Sequence, residues 1–154
     1  MNKKIVLIAI SLTAAATVAA LAHGGATGIV KQRMDGMMAM GKAVKVVGNM
    51  LRGKATFDPQ QVANSADIIR QHAADMDKLF PDTKASREGK GTEALPDIWQ
   101  KMDAFLALAD DLDARAVNLK TVAQTGDKNQ VRMEFGKLAK ACSACHADFR
   151  KTKK

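Results

Sequence analysis

Apolar side chains recur along most of the chain at alternating three- and four-residue intervals, the spacing that gathers them on one face of an α-helix. The first stripe runs through Ile29, Arg33, Met37, Met40, Val44, Val47 and Leu51, and Gly53 ends it. Asp58-Pro59 reads as an N-cap followed by a proline in the first turn, where a missing N–H costs nothing. A second stripe follows: Val62, Ala66, Ile69, Ala73, Met76 and Phe80, stopped by Pro81. From Pro81 to Leu95 no period is visible, Gly89 and Gly91 intervene, and a loop is expected. Pro96 opens a third stripe through Ile98, Met102, Phe105, Ala109, Leu112, Ala116, Leu119 and Ala123. After a break at Thr125-Gly126-Asp127, with Asp127 a natural N-cap, the fourth stripe is Val131, Phe135, Leu138, Cys142, Cys145 and Phe149.

These stripes predict four helices of roughly 22 to 27 residues, or about 33 to 40 Å each at 1.5 Å per residue. Matched lengths and short connections predict an all-α, antiparallel up-down four-helix bundle in one domain. Composition agrees. With 47% apolar residues, 154 residues suffice for a sizeable core, and 26% charged residues argue against a multi-span membrane protein. Aromatics reach only 4% and tyrosine is absent, which disfavours a sandwich or barrel.

The first 22 residues read as an address. Asn2, Lys3 and Lys4 give a positive start, Ile5 to Leu21 is almost wholly apolar, and Ala20-Leu21-Ala22 has the small residues that a signal peptidase requires. Cleavage after Ala22 would leave residues 23–154 as the exported protein. The Ala-rich run is weakly hydrophobic, so an uncleaved anchor is the lesser alternative. Export to a bacterial periplasm is expected. It also separates this basic chain, formally +8, from nucleic acid.

Both cysteines lie in Cys142-Ser143-Ala144-Cys145-His146. Cys-x-x-Cys-His is the attachment motif of a c-type haem. On a helix, positions i, i+3 and i+4 share a face. Two thiols so placed reach the two vinyl groups of one porphyrin edge, and His146 rises beside them as the proximal iron ligand. A thioredoxin-type pair would need a βα junction, and no strand pattern appears. A structural zinc site would need four ligands, and beyond the motif the chain offers only His23 and His72. A plain disulfide ring leaves the adjoining histidine without a purpose. One haem c per chain, with its iron, is therefore expected on the last helix.

With these motifs the mature chain resembles the cytochrome c-prime family, four-helix bundles that carry the haem motif near the C-terminus. Lys140-Ala141-Cys142-x-x-Cys145-His146-x-x-Phe149-Arg150 resembles the family's C-terminal signature. Leu79-Phe80-Pro81-Asp82 and Pro96-x-Ile98-Trp99 resemble its marks around helices two and three. Arg33 and Met37 match the family's distal-side arginine and the position facing the sixth coordination site. The nearest likeness is to the low-spin cytochrome c-556 branch, in which methionine at that position ligates the iron.

The resemblance implies Met37 as the sixth iron ligand, with Met40 the next candidate. Helix one is rich in sulfur, since Met34, Met37, Met38 and Met40 fall within seven residues. As a set they also suit ordinary core filling. Met34 and Met38 are expected to point away from the stripe. Filled axial sites imply single-electron transfer; an unligated Met37 implies a five-coordinate protein that binds NO or CO. A peroxidase-like enzyme is the weakest reading, because helix one carries no histidine to handle protons.

Arg33 interrupts an apolar stripe, and either a haem propionate or solvent at the bundle edge would accommodate its charge. Trp99 packs against either the porphyrin or ordinary core. The basic tail Arg150, Lys151, Lys153 and Lys154 either offsets the helix dipole or draws an acidic redox partner to the haem edge. Resemblance also implies a homodimer through the first helices, with Met34 and Met38 on the exposed face.

Overall fold

The computed structural model describes residues 25–152. The expected leader at residues 1–22, His23, Lys153 and Lys154 lie outside the described residues. Seven helices occur among the described residues: α1 (Gly28–Leu51), α2 (Pro59–Ala74), α3 (Met76–Leu79), α4 (Lys84–Glu88), α5 (Asp97–Gln100), α6 (Met102–Ala123) and α7 (Lys128–Phe149). The four long ones, α1, α2, α6 and α7, are the four expected from the stripes.

Their ends follow from local chemistry. The Asp58 carboxylate accepts from the Gln60 and Gln61 backbone N–H groups at 2.9 and 3.2 Å, directly before Pro59. Asp127 does the same for Asn129 and Gln130 at 2.8 and 3.2 Å. Such caps satisfy amides that have no intrahelical acceptor. Gly53 closes α1 in the left-handed conformation, φ 75°, which only glycine adopts without cost. The Arg132 guanidinium on α7 also donates to the Leu51 carbonyl at 3.0 Å.

Two expected helices are interrupted. The second breaks at Asp75 (φ −97°, ψ 5°) before α3, so α2 is 16 residues rather than 22 or more. The third breaks at Lys101 (φ −130°, ψ 44°), separating α5 from α6. Both breaks leave the apolar period almost in phase: Met76, Phe80, Ile98 and Phe105 all remain buried. The segment after Pro81 is not wholly loop, because the five-residue α4 forms within it, capped by the Thr83 hydroxyl.

Successive long helices lie side by side: α1 on α2, α2 on α6 and α6 on α7. The α2–α6 seam is clamped by Lys120, whose ammonium donates to both oxygens of Asp67 at 2.9 and 2.8 Å. Val47, Met50, Val62, Ala66, Leu119 and Leu138 are fully buried at the centre. Towards one end, Phe105 stacks edge-on against Phe80 at 4.7 Å and Phe149 at 5.4 Å between ring centroids. Those contacts join three parts of the chain and add about 1 kcal/mol each beyond burial. The seam that stays open is α1–α7, where the helices scarcely touch.

Candidate functional site

A cavity of about 590 Å³ occupies the open α1–α7 seam. That is within the range of cofactor sites, roughly 300 to 1,000 Å³. One wall is α7, which contributes Cys142, Cys145 and His146; the facing helix, α1, contributes Arg33, Met37 and Met40. The residues Gly91 to Ala94 cross from one wall to the other.

This crossing segment is anchored at both ends. Leu95 N–H donates to the Phe149 carbonyl at 2.9 Å and Lys151 N–H to the Glu93 carbonyl at 2.8 Å. The Arg150 guanidinium pairs with the Glu93 carboxylate at 2.6 Å. At the other end, α4 sits on the first turns of α1. Gly89 approaches so closely that a Cβ there would stand 2.6 Å from Val30 Cγ2.

Both cysteines are free thiols, half-buried on the cavity side of α7. Burial pushes the Cys145 thiol up to about 11, with Cys142 and Asp148 adding to it, and burial raises Cys142 as well. They are therefore neutral thiols near pH 7, unlike the low-pKa thiolates of a disulfide oxidoreductase. His146 is held below its ordinary range by burial first and the Arg150 charge second, against an upward pull from Glu93. Its imidazole is thus neutral, the form that binds a metal. No group of three or more metal-binding side chains occurs among the described residues. Adjacent thiols, a neutral imidazole and an apolar slot of this volume suit a covalently held porphyrin.

Arg33 is 6% exposed and borders the cavity, as a partner for a bound carboxylate would. It also has a protein partner absent from the sequence expectation. Its guanidinium donates to the Ser86 carbonyl at 2.6 Å and the Ser86 hydroxyl at 3.3 Å, and lies 4.6 Å over the Phe80 ring. Burial lowers its pKa, yet it remains charged. Ser86 is completely buried and lies in the segment read as loop; the one hint of it was a charge without an evident acceptor.

Trp99 is not among the residues lining the cavity; of the two expected settings, porphyrin or ordinary core, it packs against the core. Its indole N–H donates to the carbonyls of Phe80 and Pro81 at 3.1 and 3.2 Å, fastening the two chain reversals together. Met34 and Met38 border the cavity, and Met38 is also 40% exposed, as expected of a residue off the apolar stripe. Helix α1 serves two clients: Ala43, Val47 and Met50 face the core, while Met34 and Met37 border the slot beside it. Met40, 7% exposed, meets both. His72 is half-buried, its Nδ1 only 3.2 Å from where a Cβ on Gly36 would stand.

Fold and site together define a helical bundle built to clasp a planar prosthetic group between its first and last helices. The family model for cytochrome c′ matches residues 28–150, and the chain belongs to that family, whose members carry covalently bound haem c. It is 34% identical over 129 residues to a cytochrome c′ of Rhodopseudomonas palustris, covering 82% of this chain and 84% of that protein. It is 30% identical over 146 residues to a cytochrome c-556 of Agrobacterium fabrum, covering 91% and 94%. Among solved structures, it is similar to a nitric oxide complex of a cytochrome c prime variant from Alcaligenes xylosoxidans. The TM-score there is 0.71 at 25% identity, covering 81% of this chain and 94% of that one.

Proposed function

We propose that this chain is a periplasmic haem c protein that takes a diatomic gas at its iron. It is a single domain over residues 23–154 once a leader of residues 1–22 is removed, and a binder rather than an enzyme. Among the described residues no helix is long and apolar enough to cross a membrane. Cys142 and Cys145 form the thioethers, and His146 holds the proximal coordination position with its neutral imidazole. Bound haem would supply an iron that changes oxidation state and binds a small ligand. Arg33, held by Ser86, keeps donors for a propionate at the cavity edge.

The observation that carries this reading is the nature of the α1 wall. Its cavity-facing residues are apolar or thioether side chains apart from Arg33, whose guanidinium holds its protons at any working pH. Such a wall gives no proton to a peroxide, but accommodates an uncharged diatomic molecule. The nitric oxide complex of the Alcaligenes relative supports the same reading.

A second reading is favoured by one specific observation. Met37 borders the cavity from α1, with Met40 beside it, and His146 borders it from α7. A Met37–iron bond would fill the sixth position and make the protein a carrier of single electrons. Arg150 and Lys151 near the site would then draw an acidic redox partner. The relationship to a cytochrome c-556 supports this alternative. In either case a second copy of the chain is the expected partner in solution.

Optical spectra of the purified holoprotein, with and without CO, separate the two. High-spin bands that shift on CO addition are the expected result. Low-spin bands in both oxidation states that ignore CO would overturn it in favour of electron transfer. Met37→Ala should then turn that low-spin spectrum high-spin.

A further inference from the structure

We propose that a strip of basic side chains along the outer lip of the α1–α7 seam docks the holoprotein on a bilayer leaflet that carries anionic headgroups. The docking goes beyond the gas-binding reading and does not depend on it.

Charge is unevenly shared among the four long helices. Together α1 and α7 carry eight Lys and Arg residues against three Asp and Glu, whereas α2 and α6 carry three against five. Pairing is just as uneven. Arg70, Arg115 and Lys120, the three cations of α2 and α6, all sit in ion pairs. On the other side, Lys42, Lys45 and Arg52 along α1 and its end, and Arg132 and Lys140 on α7, are exposed. None of these five is paired with a carboxylate among the described residues. Arg52 donates to the Asn49 amide oxygen and Arg132 to the Leu51 carbonyl, and neither acceptor neutralises a charge.

The five share one side of the bundle. At 3.6 residues per turn, Lys42, Lys45 and Arg52 fall within about 80° of arc, and so do Arg132 and Lys140. Lys42 and Lys140 each directly follow a residue that borders the cavity, Gly41 and Ala139. Arg132 reaches across to the carbonyl beside Arg52. The strip therefore runs along the lip of the seam for about 15 Å, at 1.5 Å per residue. None of its members lines the cavity, so a porphyrin in the seam leaves it in place.

Apolar side chains flank the strip: Val46 on α1 is 36% exposed and Met133 on α7 is 62% exposed, and both also lie outside the cavity lining. Cations with apolar neighbours on one face suit a peripheral membrane contact, in which charges stay among the headgroups while apolar groups reach the acyl boundary. A second copy of the chain does not suit the strip, because like charges would meet across it. The acidic excess on α2 and α6 turns the opposite side away from such a leaflet and sets the orientation. In that orientation the seam faces lipid.

The test is co-sedimentation of the holoprotein with vesicles of phosphatidylcholine alone, and with vesicles in which half of it is replaced by phosphatidylglycerol. Binding is expected only to the second kind, and it should vanish in about 1 M salt, where screening acts within about 3 Å. Lys42→Gln, Lys45→Gln and Lys140→Gln together should weaken it about a hundredfold, at about fivefold per charge. Lys78→Gln, Lys84→Gln and Lys90→Gln together remove the same charge from exposed positions outside the strip and should cost far less. Met133→Ser leaves the charge unchanged and should weaken binding about fivefold. Haem content and far-UV circular dichroism should match wild type in every variant. Indifference to anionic vesicles at low salt, or equal losses in the two triple variants, would overturn the proposal. Binding untouched by Met133→Ser would overturn it in favour of an acidic protein partner. The CO spectra judge the gas-binding reading separately, so either can fail without the other.

Discussion

Substituting Gly89 by alanine offers a stringent check on how the crossing segment is built. The added Cβ would lie 2.5 Å from the Ala85 carbonyl oxygen and 2.6 Å from Val30 Cγ2. Neither contact is tolerable, and the first is with backbone. Gly89 N–H already donates to that same Ala85 oxygen at 3.1 Å, so rotating residue 89 away would sacrifice the bond that ends α4. Crowding of this kind costs about 1 to 3 kcal/mol, and the lost hydrogen bond about 1 kcal/mol. Gly89 has φ −57° and ψ 144°, which alanine also adopts. Restricting the unfolded chain therefore returns about 0.4 to 1 kcal/mol. The net loss is about 2 kcal/mol, which for a domain of this size lowers Tm by about 8 °C. Circular dichroism melts of the holoprotein would measure it. Adding Val30→Ala should recover part of the loss, because one of the two clashes disappears, and the departure from additivity should be about 1 kcal/mol. A Gly89→Ala protein melting within 2 °C or so of wild type would refute the close approach of α4 to α1.

Two further outcomes follow from the site and the caps. Single Cys142→Ser and Cys145→Ser variants should each retain haem through the other thioether, whereas the double variant should lose haem-stained colour on a denaturing gel; colour persisting in the double variant would reject attachment at this motif. Asp127 has its carboxyl pulled below the ordinary value by the backbone N–H of Gln130 and then that of Asn129. A folded pKa below the unfolded one adds stability above the unfolded value, and that gain fades as pH falls through the folded one. Wild type and Asp127→Ala should therefore differ in Tm at neutral pH and converge in strong acid; a pH-independent gap would contradict the cap.

The number of long helices and the attachment helix were legible because both depend on local periodicity and on a five-residue motif. Asp58 and Asp127 were readable as caps for the same reason: an N-cap is set by its own next three residues. What escaped depends on contacts distant in sequence. Nothing near Ser86 indicates that it will be buried under Arg33, because the two are brought together only when α4 folds back on α1. The breaks at Asp75 and Lys101 leave the apolar period nearly unchanged, so no pattern reports them. The sequence left Trp99 between porphyrin and core, because its acceptors, the Phe80 and Pro81 carbonyls, lie 19 and 18 residues away. A single apolar stripe does not report that α1 faces both a core and a slot, so the approach of Met34 to the cavity has no signature in the periodicity.

The long opening between α1 and α7 is stitched shut at its two extremities: Arg132 on the Leu51 carbonyl at one, the Glu93–Arg150 crossing at the other. A seam fastened in this way behaves like a buttonhole. It cannot gape at its corners without breaking polar ties, so any widening is borne by the middle of the first helix, where its glycines make the backbone least stiff. Whatever enters must therefore be slim and come in from the side, and the strain of its entry falls on one short stretch of helix rather than on the bundle as a whole.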